Sequence, residues 1–288
     1  MNDRVAQCRE RSRESLSLLR LPFRSQTWQG GQGVWQGKGT GSAIDFRDHR
    51  VYVPGDDPRH INWQAYARTG HYSMKVFEEE VQPQIDIVLD CSASMGLTQE
   101  KADRTVELLY FCCEQAWEAG AILRLYHLKS GEVILQDPAE LLAGSWQPEW
   151  QGDHEGDFHF SRLSFSPNGM RIFISDLLFE MDANPLLSSL TAVGGKGILF
   201  VPYLAEEVSP AWSGNLELVD CESGEKRKQR VTDALSQNYR RNYQNHFQWW
   251  KDRARQFGCH LARVGADGQL VTALRDDALA VGAVEMAV

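Results

Sequence analysis

Ile85-Asp86-Ile87-Val88-Leu89-Asp90, running on into Cys91-Ser92-Ala93-Ser94, is the stretch on which the fold turns. Its first six residues are almost continuously apolar, as a strand buried on both faces of a parallel sheet must be, and they end in a carboxylate. Downstream, Ala102, Val106, Leu109, Cys113 and Trp117 recur at helical spacing, which predicts a helix over 101–117. Strands are expected over 122–128 and 133–135, a short helix over 138–142, and a second buried strand over 170–176. A helix over 186–193 and a strand over 198–204 follow, then a hairpin over 216–231 turning near Ser223-Gly224. A long helix over 233–256 closed by Gly258, a strand over 260–264 and a helix over 269–279 complete the pattern. Strand and helix alternating in this way imply right-handed crossovers. The fold class is therefore α/β, with a doubly wound, mostly parallel sheet of Rossmann type.

Upstream the text is different. Residues 1–20 read as an amphipathic helix ahead of Pro22. Residues 26–41 are rich in Gly and Gln, with Trp28 and Trp35 as anchors, and residues 43–80 read as strands and turns, with strands over 51–53 and 72–77. The expected organisation is an irregular, strand-containing N-terminal extension, 1–83, packed on an α/β domain, 84–288. Residues 1–83 hold too few clustered aliphatics for a core of their own.

With 42% hydrophobic and 24% charged residues among 288, disordered and fibrous classes are excluded. A net charge of −9 argues against nucleic acid as partner. That charge is uneven: residues 1–77 hold 12 Lys/Arg against 7 Asp/Glu, and the remainder is strongly acidic, so the two parts can attract one another. The six cysteines form no C-x-x-C pair, which suits reduced structural thiols. No apolar run approaches the roughly 18 residues of a membrane helix, and the Arg- and Glu-rich start lacks a signal-peptide core. A cytoplasmic protein without membrane insertion is expected.

In such sheets ligands bind beyond the carboxyl ends of the strands, where the strand order reverses. Two expected strands end in aspartate there: Asp90, opening Asp90-Cys91-Ser92-Ala93-Ser94, and Asp176, closing Ile174-Ser175-Asp176. One carboxylate and two hydroxyls in a tight loop, with a second carboxylate beside it, form an all-oxygen donor set suited to Mg²⁺ or Mn²⁺. The bland reading is that Ser92 and Ser94 cap a turn while Asp90 accepts backbone amides.

This pattern resembles the metal-ion-dependent adhesion site of von Willebrand factor A domains. The upstream residues Lys38-Gly39-Thr40-Gly41, Pro54-Gly55-Asp56-Asp57-Pro58-Arg59, Ile61-Asn62-Trp63, Ala67-Arg68-Thr69-Gly70 and Lys75-Val76-Phe77-Glu78-Glu79-Glu80 resemble the signature of the bacterial family called domain of unknown function 58. The resemblance implies a von Willebrand A-like domain and a divalent cation held by Asp90, Ser92, Ser94 and Asp176. It also implies a protein-interaction role beside a MoxR-type AAA+ ATPase, with no established activity. Two departures stand out. Asn62 replaces an aspartate of the signature, and the adhesion site's threonine has no counterpart between Trp146 and Met170, where Gly156-Asp157 is nearest. Asp157 is therefore the fifth candidate ligand.

The leading expectation is a non-enzymatic protein-interaction module with this cation. The first alternative is a metal-free scaffold of the same fold. The second is a serine hydrolase, in which Ser92-Ala93-Ser94-Met95-Gly96 imitates a nucleophile elbow, Ser94 attacks, and Asp176 with His246 or His260 completes a triad.

Overall fold

The computed structural model describes residues 3–23, 35–36, 45–54, 57–78, 80–151, 162–179 and 182–287. In chain order the elements are α1 (Asp3–Leu16), β1 (Leu19–Arg20), β2 (Trp35–Gln36), β3 (Asp45–Val51), α2 (Trp63–Thr69), β4 (Ser73–Glu78), β5 (Glu80–Val81) and β6 (Gln84–Asp90). Then come α3 (Gln99–Glu118), β7 (Ile122–Lys129), β8 (Glu132–Gln136), α4 (Pro138–Ala143), β9 (Met170–Ile174), α5 (Ala183–Thr191) and β10 (Lys196–Tyr203). The last are α6 (Ala205–Val208), β11 (Gly214–Val219), β12 (Lys226–Val231), α7 (Asp233–Gln256), β13 (His260–Gly265), α8 (Leu270–Ala273) and β14 (Glu285–Met286).

The expected block 1–83 is divided. Met1–Phe23 joins Gln84–Val288 in one compact unit, and Arg24–Pro83 forms another. Within the smaller unit β3 pairs antiparallel with β4, and β2 with β5. The strand expected over 51–53 lies earlier, at Asp45–Val51. A helix not expected there, α2, begins because Asn62 Oδ1 accepts the Ala65 N–H at 3.1 Å and ends at Gly70 with φ 71°. Asparagine caps a helix as well as aspartate does, so the departure at Asn62 costs the backbone nothing. Trp63 is exposed, edge-on to Tyr66 and Tyr72, rather than buried in a core.

In the larger unit six strands hydrogen-bond in the order β13-β10-β9-β6-β7-β8. All pairings are parallel except β7 with β8, which turn about Ser130-Gly131, both at positive φ. A two-residue hairpin turn of that shape needs left-handed backbone, which glycine supplies at no steric cost. The order therefore reverses between β6 and β9, and the carboxyl ends of those two strands flank the switch point. Residues 85–90 of β6 and all of β9 are buried.

Helix α3 is buried on nearly every side, because the sheet lies under one face and α1 covers another. The interface with α1 is electrostatic at its rim. Arg4 and Arg11 pair with Asp103 at 2.8 and 3.1 Å, and Arg9 and Arg13 pair with Glu114 at 2.6 and 3.1 Å. The attraction between a basic front and an acidic body is thus realised here within the chain. Along α7, Tyr243, Phe247, Trp250 and Ala254 fall on one buried stripe, while the adjacent Trp249 points outward. The final helix spans nearly the expected 269–279, but only its start is α-helical: α8 continues as a π-type turn over Leu274–Ala278.

Candidate functional site

The run of β6 ends at Asp90, which is fully buried. Its Oδ1 accepts the Ser92 N–H at 2.9 Å, and its Oδ2 accepts the Ser175 hydroxyl at 2.7 Å. Both carboxylate oxygens therefore hold the loops together. Ser92 Oγ and Ser94 Oγ lie 3.0 Å apart and share a hydrogen bond. The single 3₁₀ turn Ala93–Gly96 that follows is seated by buried Met95, whose Sδ accepts the Asp176 N–H at 3.2 Å.

Beyond β9 the chain makes an Asx turn, with the Leu178 N–H donating to Asp176 Oδ1 at 3.1 Å. Between them Leu177 is buried with φ 56°, a backbone region that costs a leucine energy. It is held there by its N–H on Ser175 Oγ at 3.1 Å and its carbonyl against His246 Nε2 at 2.7 Å.

The remaining oxygen of the second aspartate has a partner that sequence reasoning missed. Lys101, fully buried in the first turn of α3, places Nζ 2.8 Å from Asp176 Oδ2 and 2.7 Å from Glu207 Oε1 of α6. Burial works against the ammonium, but the charges and hydrogen bonds of Asp176 and Glu207 outweigh it and hold the lysine pKa above its ordinary value. Glu207 Oε2 in turn accepts the Leu204 N–H at 2.9 Å, which fixes α6 against the end of β10. Sequence carried one faint signal of Lys101. It is a cation in the first turn of a helix capped by Thr98, where the helix dipole favours an acid.

The expected ligands Asp90, Ser92, Ser94 and Asp176 are thus gathered at the switch point, and Asp157 lies outside the described residues. As arranged, they do not fit a divalent ion. The Asp90 oxygens accept from Ser92 and Ser175, the Asp176 oxygens accept from Leu178 and Lys101, and a positive charge already sits on the second aspartate. Among the described residues no group of three or more His, Cys, Asp or Glu side chains is poised for a metal. The hydrolase triad is not assembled either. His246 is engaged with the Leu177 carbonyl, His260 Nδ1 lies 2.6 Å from the Val281 carbonyl, and Ser94 bonds to Ser92.

A second feature lies close by along the chain. The hairpin β11–β12 turns the face carrying Leu218, Arg227 and Val231 toward α7, leaving a cavity of about 240 Å³ lined also by Trp212, Leu235 and Tyr239. Its rim is fixed to α6, since Trp212 Nε1 donates to Glu206 at 2.8 Å and the Tyr239 hydroxyl donates to the Glu207 carbonyl at 2.8 Å.

Fold and site together define an α/β protein with a doubly wound sheet and a polar, internally paired loop cluster at its switch point. Residues 48–138 match the family described as "Protein of unknown function DUF58", which shows over that segment the resemblance read from the signature residues. No curated protein matches the chain. Among solved structures, the crystal structure of conserved hypothetical protein BatB from Bacteroides thetaiotaomicron is similar at 14% identity, covering 69% of this chain and 98% of that chain with a TM-score of 0.35. Among the described residues no helix is long and apolar enough to cross a membrane.

Proposed function

We propose that this chain is a non-enzymatic protein-interaction module that receives an apolar, acid-flanked segment of a partner protein in the groove between β11–β12 and α7. The groove itself carries the reading. Trp212, Leu235 and Tyr239 are all more than a third exposed there, an unusual concentration of large apolar groups on an open surface. Arg227 lines the same groove, so an acidic flank on the partner complements the apolar anchor, while Lys226, Lys228 and Arg230 alternate to the opposite face of β12. The family resemblance adds a MoxR-type AAA+ ATPase as the partner class. Six unpaired thiols, five of them buried, suit a reducing compartment such as the cytoplasm.

The test is site-specific photocrosslinking from Ser236 in native cells, comparing the native chain with Leu235→Asp and Arg227→Glu. An acid-flanked apolar segment of an AAA+ ATPase crosslinked to the native chain, and lost in both variants at unchanged melting temperature, is the expected result. Equal capture by the variants would remove the groove from the reading. A partner that is not an ATPase would remove the adaptor role.

A further inference from the structure

The loop cluster at the switch point is built like a cation site but already holds a cation of its own. Asp176 faces Lys101 Nζ at 2.8 Å, Glu207 faces it at 2.7 Å, and the lysine side chain is wholly shielded from solvent. A divalent ion directly ligated by Asp176 Oδ2 would have to displace an ammonium that has two carboxylate partners and no exposure of its own to water. Asp90 is tied to both loops, each of its oxygens already accepting one hydrogen bond, from Ser92 and from Ser175, so the inference rests on the ammonium at Asp176. A buried charge stripped of its partner is costly, so the carboxylates need some cation, and the chain supplies one covalently.

We infer that Lys101 is the resident cation of this site, serving Asp176 and Glu207 in place of a divalent metal, so that the native chain binds neither Mg²⁺ nor Mn²⁺ there. A tethered ammonium, unlike a metal ion, leaves no open coordination position. A partner's acidic side chain is therefore not bridged to Asp90 or Asp176, and recognition falls to surfaces outside the loop cluster. The lysine also couples two segments that a metal in the loop would not, the Asp176 turn after β9 and helix α6 after β10. The inference stands independently of the groove: the crosslinking result decides one, and cation binding decides the other.

The deciding measurement is Mn²⁺ binding by electron paramagnetic resonance on the full chain, with Asp176→Asn as the reference that removes any ion held at this site. The native chain and Asp176→Asn are expected to take up the same amount of Mn²⁺. Uptake by the native chain that Asp176→Asn loses would overturn the inference. Lys101→Ala supplies the converse: the carboxylates then lack their cation, and its melting temperature should rise in Mn²⁺ over chelator while that of the native chain does not move. A folded Lys101→Ala that ignores Mn²⁺ would overturn the claim that the ammonium stands in for a metal. If that variant does not fold, the uptake comparison still decides.

Discussion

The Ser175 hydroxyl donates to Asp90 Oδ2 at 2.7 Å, joining the carboxyl ends of β6 and β9 across the point where the strand order reverses. The bond is fully buried, and Asp90 also accepts the Ser92 N–H, so one side chain closes two loops. Asp90→Ala should therefore destabilise the protein by about 1–3 kcal/mol for each buried donor left unpaired. Asp90→Asn keeps one acceptor and should cost less. Urea denaturation of the two variants measures the difference; equal stability of Asp90→Ala and the native chain would show that the loops close without this carboxylate.

Gly96 is required by a neighbour. A Cβ placed there would run into the Cβ and ring atoms of Trp150, well inside contact distance. Gly96→Ala should cost about 1–3 kcal/mol, the usual penalty of overpacking a filled site. Trp150→Ala in the same chain, which removes the ring atoms that Cβ would meet, should recover part of that loss, since the two residues touch and their effects cannot add. Additive losses in the double variant would place the strain elsewhere.

Acid should weaken the fold through His127. Burial, helped by Lys129 and opposed by Glu149, pushes this imidazole down from about 6.5 to about 4, and its Nε2 has no hydrogen-bond partner. Because the folded value lies below the unfolded one, the unfolded chain binds the extra proton between these pH values. Stability from this group is complete above about pH 6.5 and falls as pH drops toward 4, by at most about 3 kcal/mol. Subtracting the stability–pH curve of His127→Gln from that of the native chain isolates this contribution, and parallel curves would assign the acid sensitivity to other groups.

Thiol chemistry should separate one cysteine from the rest. All six thiols are pushed up, Cys221 by partial burial and the charges of Glu222 and Asp220, but Cys221 is exposed whereas Cys8, Cys91, Cys112, Cys113 and Cys259 are buried, so access separates it. A thiol-reactive chromophore at neutral pH should modify Cys221 quickly and the other five only on unfolding. Rapid modification of a second thiol in the native state would reveal local opening around it.

Much of the larger unit was legible because its signals are local. The continuous apolar runs of β6 and β9, the 24-residue helix α7 and the aspartates at two strand ends are written in adjacent residues. What escaped depends on distant partners. Lys101 reads as a solvated charge, since Asp176 and Glu207 are 75 and 106 residues away. The amphipathic helix read over 1–20 ends at Leu16, with Leu19 in β1, and its buried face is Val5, Cys8, Ser12 and Ser15, two of them serines, which does not announce α3 as the place where it docks. Its docking is carried instead by arginines whose acidic partners lie about a hundred residues on. Helix α6 has four residues, too few for any period to show, yet it supplies Glu207.

The pairing of Leu19 and Arg20 in β1 with Met286 and Glu285 in β14 has a consequence for synthesis on the ribosome. Gln115 receives the Leu21 N–H and donates to the Leu19 carbonyl, so β1 has a seat once α3 exists. Its strand partner is made 265 residues later. Until those residues are made the nascent chain must carry an early strand with one edge unpaired, while the Arg24–Pro83 unit has long since emerged. Pairing of β1 must therefore wait for Glu285 and Met286, and a ribosome that stalls short of them leaves β1 without its mate.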